Sequence, residues 1–149
     1  MRIEDEIKGR FRNEYHKGLI NLSYTSRKLS YVFYCELKKH DITEQQYNVL
    51  RILRGFSSES PLSIGFIKER MLDRDSDVSR LVDRLFNNGY VTRFEDKDDR
   101  RKKSVEITEK GTNLLNSMLI VELEGDKLLQ HLTIEEVNLL NELLDKIRK

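Results

Sequence analysis

The chain has 149 residues, 38% hydrophobic and 36% charged, and its 27 basic and 26 acidic side chains leave a net charge of +1. That length holds one domain or two tightly joined lobes, and so polar a composition is lean for a monomer with a large core, so part of the apolar surface is expected to be shared with another chain. A single Cys excludes an internal disulfide and a Cys-based zinc cluster; no apolar stretch is long enough to span a bilayer and the charged start Met1 to Glu6 is no signal peptide, so the expected address is cytoplasmic, away from any membrane.

One Pro and seven Gly leave most of the chain free to be helical. From Ile3 to Lys39, Ile7, Phe11, Tyr15, Leu19, Leu22, Leu29, Val32, Phe33 and Leu37 recur at a helix-like spacing, which predicts a long first helix broken near Gly18 or Ser23. The half after Leu19 is expected to pack on the domain, and the thinner stripe before it to pair with a partner chain. Asp41-Ile42 breaks this helix. Thr43 and Gln46 then form a capping box, and Tyr47, Leu50 and Leu53 carry a second helix to Gly55. Phe56 to Ser60 reads as a polar loop. Pro61 suits the first turn of a third helix, with Leu62, Ile67 and Met71 as its buried row.

The stretch after Met71 organises the rest. Val78, Leu81, Val82 and Leu85 stand at i, i+3, i+4 and i+7, one stripe of a helix over 75–88. Ser76, Arg80, Asp83 and Asn87 centre on the opposite face, flanked by Asp77, Ser79 and Arg84. Asp73 or Asp75 can cap its first turn, and Asn88-Gly89 supplies a left-handed stop sealed by Tyr90 and Val91. A hairpin follows, with strands at Tyr90–Phe94 and Val105–Thr108. Between them Glu95 to Lys103 has no apolar residue, so it projects into water or onto a charged partner. A helix with a small polar face, then a charged β-tip, is the shape of a winged helix-turn-helix: the helix enters a major groove and the wing reaches the neighbouring phosphates or minor groove. Thr108 can cap the next helix (Leu114, Leu115, Met118, Leu119, Val121), which Gly125 loosens or ends. Thr133 and Glu136 form a second capping box before Val137, Leu140, Leu143, Leu144 and Ile147.

Taken together, Ser76 to Leu85, then Gly89-Tyr90-Val91 with Arg93, then Asp99-Arg100-Arg101 and Ile107-Thr108-Glu109-Lys110-Gly111, resemble the MarR family of bacterial transcription regulators in order and spacing. Lys68 and Leu72 depart from its pattern, where a small residue and Gly are usual. The resemblance implies a mainly α fold with a small β-hairpin wing: a winged helix-turn-helix over 41–107, with the N- and C-terminal helices, 1–40 and 108–149, forming a dimerisation platform. It also implies a ligand pocket between platform and winged lobe, and release from DNA by small phenolic ligands or thiol oxidation.

Arg80 is the first candidate for a base-edge contact, because a guanidinium takes guanine with two hydrogen bonds. Ser76 and Ser79 suit phosphate or base contacts. Asp77 and Asp83 would repel phosphate, and are expected to orient Arg80 or Arg84 or to accept from cytosine. In the wing, Asp99 is expected to hold an Arg straight while its tip enters the minor groove, with Arg100, Arg101 and Lys102 as candidates and Arg93 bracing the strand end. Tyr31, Tyr34, Cys35 and Tyr47 are candidate ligand-pocket residues, although the aromatics are equally good core. Cys35 is expected to pack as a small buried hydrophobe; a redox switch would need an exposed, low-pKa thiolate.

Charge is distributed unevenly. Residues 1–40 carry nine basic and five acidic residues, net +4; residues 105–149 carry five and nine, net −4. The acidic end can sit away from DNA, while the wing, 93–103, sets six basic residues against four acidic. His16, His40 and His131 are dispersed, with no ligand set for a metal, and neither a Gly-rich phosphate loop nor a nucleophile pattern marks an enzyme or a cofactor. The expected function is a dimeric, sequence-specific double-stranded DNA-binding repressor, reading an inverted-repeat operator and modulated by a small-molecule effector. The alternatives are a winged-helix protein–protein module and a thiol-redox sensor through Cys35.

Overall fold

The computed structural model describes residues 2–95, 103–127 and 129–149. The elements run α1 (Ile3–Ile7), α2 (Glu14–Lys39), α3 (Glu44–Gly55), β1 (Leu62–Ser63), α4 (Ile64–Arg70), α5 (Val78–Asn87), β2 (Val91–Glu95), β3 (Lys103–Ile107), α6 (Glu109–Lys127) and α7 (Ile134–Ile147), with a 3₁₀ turn at Ser57–Glu59. They form two compact units, Met1–Phe33 with Glu124–Lys149, and Tyr34–Leu123.

The second unit is a winged helix. Leu37, Tyr47, Leu50, Leu53, Ile67, Val78, Val82, Leu85, Val91, Val105, Leu115 and Met118 are its buried core. The capping box at the start of α3 forms as expected: Gln46 N–H donates to Thr43 Oγ1 at 3.2 Å and Thr43 N–H to Gln46 Oε1 at 2.8 Å. The third helix starts later than the sequence predicts. Ser63 caps α4 by accepting from the Phe66 amide. Pro61 precedes the helix, and Leu62-Ser63 pairs antiparallel with Val105-Ser104, making a three-stranded sheet of order β1-β3-β2. Leu62 is buried as expected, but from a strand.

Two helices close in the same way. Tyr90 N–H reaches Leu85 O and Gly89 N–H reaches Phe86 O, both at 2.9 Å, with Gly89 at φ 75°. Ile42 N–H reaches Leu37 O and Asp41 N–H reaches Lys38 O, both at 3.3 Å, with Asp41 at φ 54°. Each is a Schellman closure, which needs a left-handed residue just past the helix.

In the first unit the break in the N-terminal helix falls at Lys8–Asn13; Gly18 and Ser23 lie inside α2. Lys8 takes a left-handed conformation at φ 48° and ends α1. Asn13 restarts the chain by accepting from the His16 amide at 2.9 Å. α1 is tied back onto α2: Lys17 meets Glu4 at 2.5 Å, Tyr24 Oη donates to Glu6 at 2.6 Å, and Lys28 Nζ to Glu6 at 3.3 Å. The capping box at Thr133 forms, and α7 buries none of its residues. Of the stripe after Leu19 expected to pack on the domain, Leu37 is buried and Leu29 and Phe33 are half-buried, while Leu22 and Val32 are exposed, as is Leu19 itself. Tyr15, Leu19, Leu22, Leu140, Leu143 and Ile147 line an apolar groove of about 690 Å³.

Candidate nucleic-acid interface

α5 owes its form to its sequence. Val78, Val82 and Leu85 are buried, and Leu81 is half-buried on the same stripe. Asp77, rather than Asp73 or Asp75, is the cap: its carboxylate accepts from the Arg80 amide at 3.2 Å. Asp73 instead accepts from the Asp75 amide at 3.1 Å, shaping the turn before the helix. Leu72, at the departure from the family pattern, is 86% exposed in that turn, and its amide donates to Asn48 Oδ1 at 3.0 Å.

Turning α5 at about 100° per residue puts Arg80 and Asn87 outermost, Asp83 and Phe86 on one flank, and Arg84 on the other. Ser79, Arg80, Asp83, Arg84 and Asn87 are all exposed. The first flank meets the wing. The Arg93 guanidinium, from β2, pairs with the Asp83 carboxylate and stacks on the Phe86 ring at 4.0 Å from its centroid. Of the roles expected for these acids, orienting Arg80 or Arg84 or accepting from cytosine, the structure shows neither: Asp83 orients Arg93, and Asp77 caps the helix. Phe86 escaped the sequence reading; its one signal is an aromatic residue off the buried stripe. The second flank borders a polar recess of about 300 Å³ lined by Asp41, Thr43, Gln46, Arg84, Asn87 and Asn88. The Ser76 hydroxyl oxygen is buried and has no hydrogen-bond partner among the described residues, so of the two candidate serines only Ser79 offers its side chain outward.

The end of α5 is anchored by the Ile107–Gly111 motif. Thr108 Oγ1 donates to Gly89 O at 2.8 Å and accepts from the Gly111 amide at 3.2 Å, so one side chain ties the helix stop to the start of α6. Lys110 Nζ donates to Asn88 O at 2.7 Å and lies over the Tyr90 ring. Gly111 has no room for a side chain: a Cβ there would stand 2.7 Å from Ile107 and closer still to Tyr90 O.

Arg100, Arg101 and Lys102 lie outside the described residues. Tyr31 and Tyr34 are exposed, and Tyr34 borders a cavity of about 370 Å³ with Leu37 and Ile42. Cys35 is exposed, not buried as the sequence reading has it. Tyr47 is buried with its hydroxyl on Glu122; burial first, and then that carboxylate, push its pKa well above the usual phenol range. Among the described residues no cluster of His, Cys, Asp and Glu is placed to hold a metal, and no helix is long and apolar enough to cross a membrane.

A capped helix carrying an outward Arg, joined to a β-wing by an ion pair, defines a winged helix-turn-helix protein of the DNA-binding class. Residues 42–103 match the model of the MarR family. A helix-turn-helix transcriptional regulator of Bacillus cereus is 31% identical over 133 residues, 88% of this chain and 84% of that protein. Two solved structures share the fold: the Staphylococcus aureus MepR–DNA complex, 22% identical, TM-score 0.77, covering 93% of this chain and 97% of that one; and Bordetella bronchiseptica BpsR, whose DNA binding is regulated by 6-hydroxynicotinic acid, 20% identical, TM-score 0.75, covering 89% and 99%. The chain belongs to the MarR family of transcriptional regulators.

Proposed function

We propose that the chain works in the cytoplasm as a homodimeric repressor, without catalysis. Two copies of α5 related by a two-fold axis would enter successive major grooves, so the operator would be an inverted repeat with half-site centres about 10 base pairs apart. Arg80 would read a base edge, with Ser79 and Arg84 on phosphate, Arg93 bracing the wing, and Arg100, Arg101 and Lys102 reaching the next groove. The exposed Arg80 on a braced helix, its guanidinium without a partner among the described residues, is the observation that carries this reading.

Dimerisation is supported by the apolar groove and by Tyr15 and Leu19, which stand 91% and 65% exposed. Contiguous apolar surface of that kind is rarely left open in a soluble chain. A small ligand would lower DNA affinity, as BpsR's 6-hydroxynicotinic acid regulates that protein's DNA binding. The exposure of Cys35 favours thiol oxidation as a second reading. Sedimentation of the purified protein tests the assembly. A dimer at micromolar concentration is expected, and a well-folded monomer there would contradict it. Cys35→Ser separates the two modes of release: the ligand response survives it and an oxidant response does not.

A further inference from the structure

The recess beside Arg84 differs from most small-molecule sites, whose walls are largely apolar. All six of its lining side chains are polar or charged. A space of about 300 Å³ with such walls suits a small, strongly hydrated solute. Its two charges are opposite in sign, and among the described residues neither the Arg84 guanidinium nor the Asp41 carboxylate has an ion-pair partner. They share one recess without closing on each other. Each is held from its own side. Asp41 is fixed by the left-handed closure of α2, and Arg84 by the buried stripe of α5. Gln46 is only 4% exposed; its side-chain oxygen is used on the Thr43 amide, which leaves its amide nitrogen as a donor.

We propose that this recess binds a small polar α-amino acid. The Arg84 guanidinium takes its carboxylate through two parallel hydrogen bonds. The Asp41 carboxylate accepts from its ammonium, and the amides of Gln46, Asn87 and Asn88 meet its side chain. Arg84 and Asn87 sit on α5, so the ligand and duplex DNA draw on the same helix. Occupancy lowers DNA affinity, and by reciprocity DNA lowers affinity for the ligand. That consequence rests on α5 being the DNA reader; binding of the ligand does not, and is measured without DNA.

Titration calorimetry of the full-length protein tests the site with three probes: L-glutamine, glutaramate (the same molecule without its ammonium) and 4-aminobutanamide (without its carboxylate). Glutamine should bind, and each truncated probe should bind at least about tenfold more weakly, the factor one charge-assisted contact is worth. Arg84→Gln and Asp41→Asn should each lose about as much glutamine affinity with unchanged melting, since Gln keeps the helix and Asn tolerates the left-handed backbone. Absence of binding by glutamine and the other polar amino acids up to about 10 mM would overturn the proposal. So would glutaramate binding as tightly as glutamine, or variants binding like the parent. If glutamine binds as expected but leaves operator affinity untouched, the coupling to DNA is overturned and the site stands.

Discussion

Asp83 shows how one side chain on the exposed face of α5 can be there for another residue. Its carboxylate would repel phosphate, yet it pairs with Arg93, which also lies on Phe86. An ion pair this exposed contributes about 0–1 kcal/mol to stability, so its value lies in holding the wing at a set angle to α5. Asp83→Ala should therefore leave melting nearly unchanged while weakening operator binding, and Arg93→Ala should do the same. A double variant no weaker than either single one would show that the two act as one unit, as a double-mutant cycle reads it. Equal and additive losses would instead mean that each touches DNA on its own. Gly111 makes the opposite case, where the fold and not the DNA sets the residue. Gly111→Ala pushes a methyl into Ile107 and Tyr90 O, and should cost on the order of 1–3 kcal/mol in chemical denaturation.

α1 is tied to α2 by charged contacts from Glu4 and Glu6. The hydrogen bond from Lys17 holds the Glu4 carboxyl below its ordinary value, and the hydrogen bond from Tyr24, then that from Lys28, does so for Glu6. A carboxyl whose pKa is depressed by folding stabilises above its unfolded value, and the effect is lost as pH falls through the folded one. Docking of α1 should thus be complete at neutral pH and fail as the pH drops below 4.5, the ordinary value for these groups. Hydrogen exchange of the Ile3–Ile7 amides at neutral pH and at about pH 3 checks this, and Glu6→Gln should loosen α1 already at neutral pH.

The elements also differ in how far a local reading reaches them. The boxes at Thr43 and Thr133 are legible because cap and partner lie within four residues. α5 is legible from its apolar stripe, but its cap is not: Asp73, Asp75 and Asp77 are chemically alike, and only the point where Val78 becomes buried selects Asp77. β1 escapes because two residues beside a Pro carry no period, and their partners Val105 and Ser104 lie beyond α5, in the second strand of the wing. The break before α2 did have a local signal, Gly9 and then Asn13, which the continuing apolar recurrence outweighed. The recess at Arg84 gathers residues from α2's end, α3 and α5, and no single stretch announces it.

For the whole molecule, a wing-braced α5 places Arg80 outermost, and this residue is the one expected to read sequence. The wing arginines, Arg101 among them, should mainly meet phosphate and groove potential. The two kinds of contact respond differently to salt and to sequence. The most direct measurement is the affinity of the parent, Arg80→Ala and Arg101→Ala for matched and scrambled operators across a salt series. Arg80→Ala should lose on the order of 1–3 kcal/mol per half-site on the matched operator and little on the scrambled one, as losing a two-pronged guanine contact does. Arg101→Ala should weaken both and flatten the salt dependence. All three should keep the same helical content. If Arg80→Ala bound matched and scrambled DNA as the parent does, α5 would not be the reader, and the chain's winged helix would be a surface for another protein.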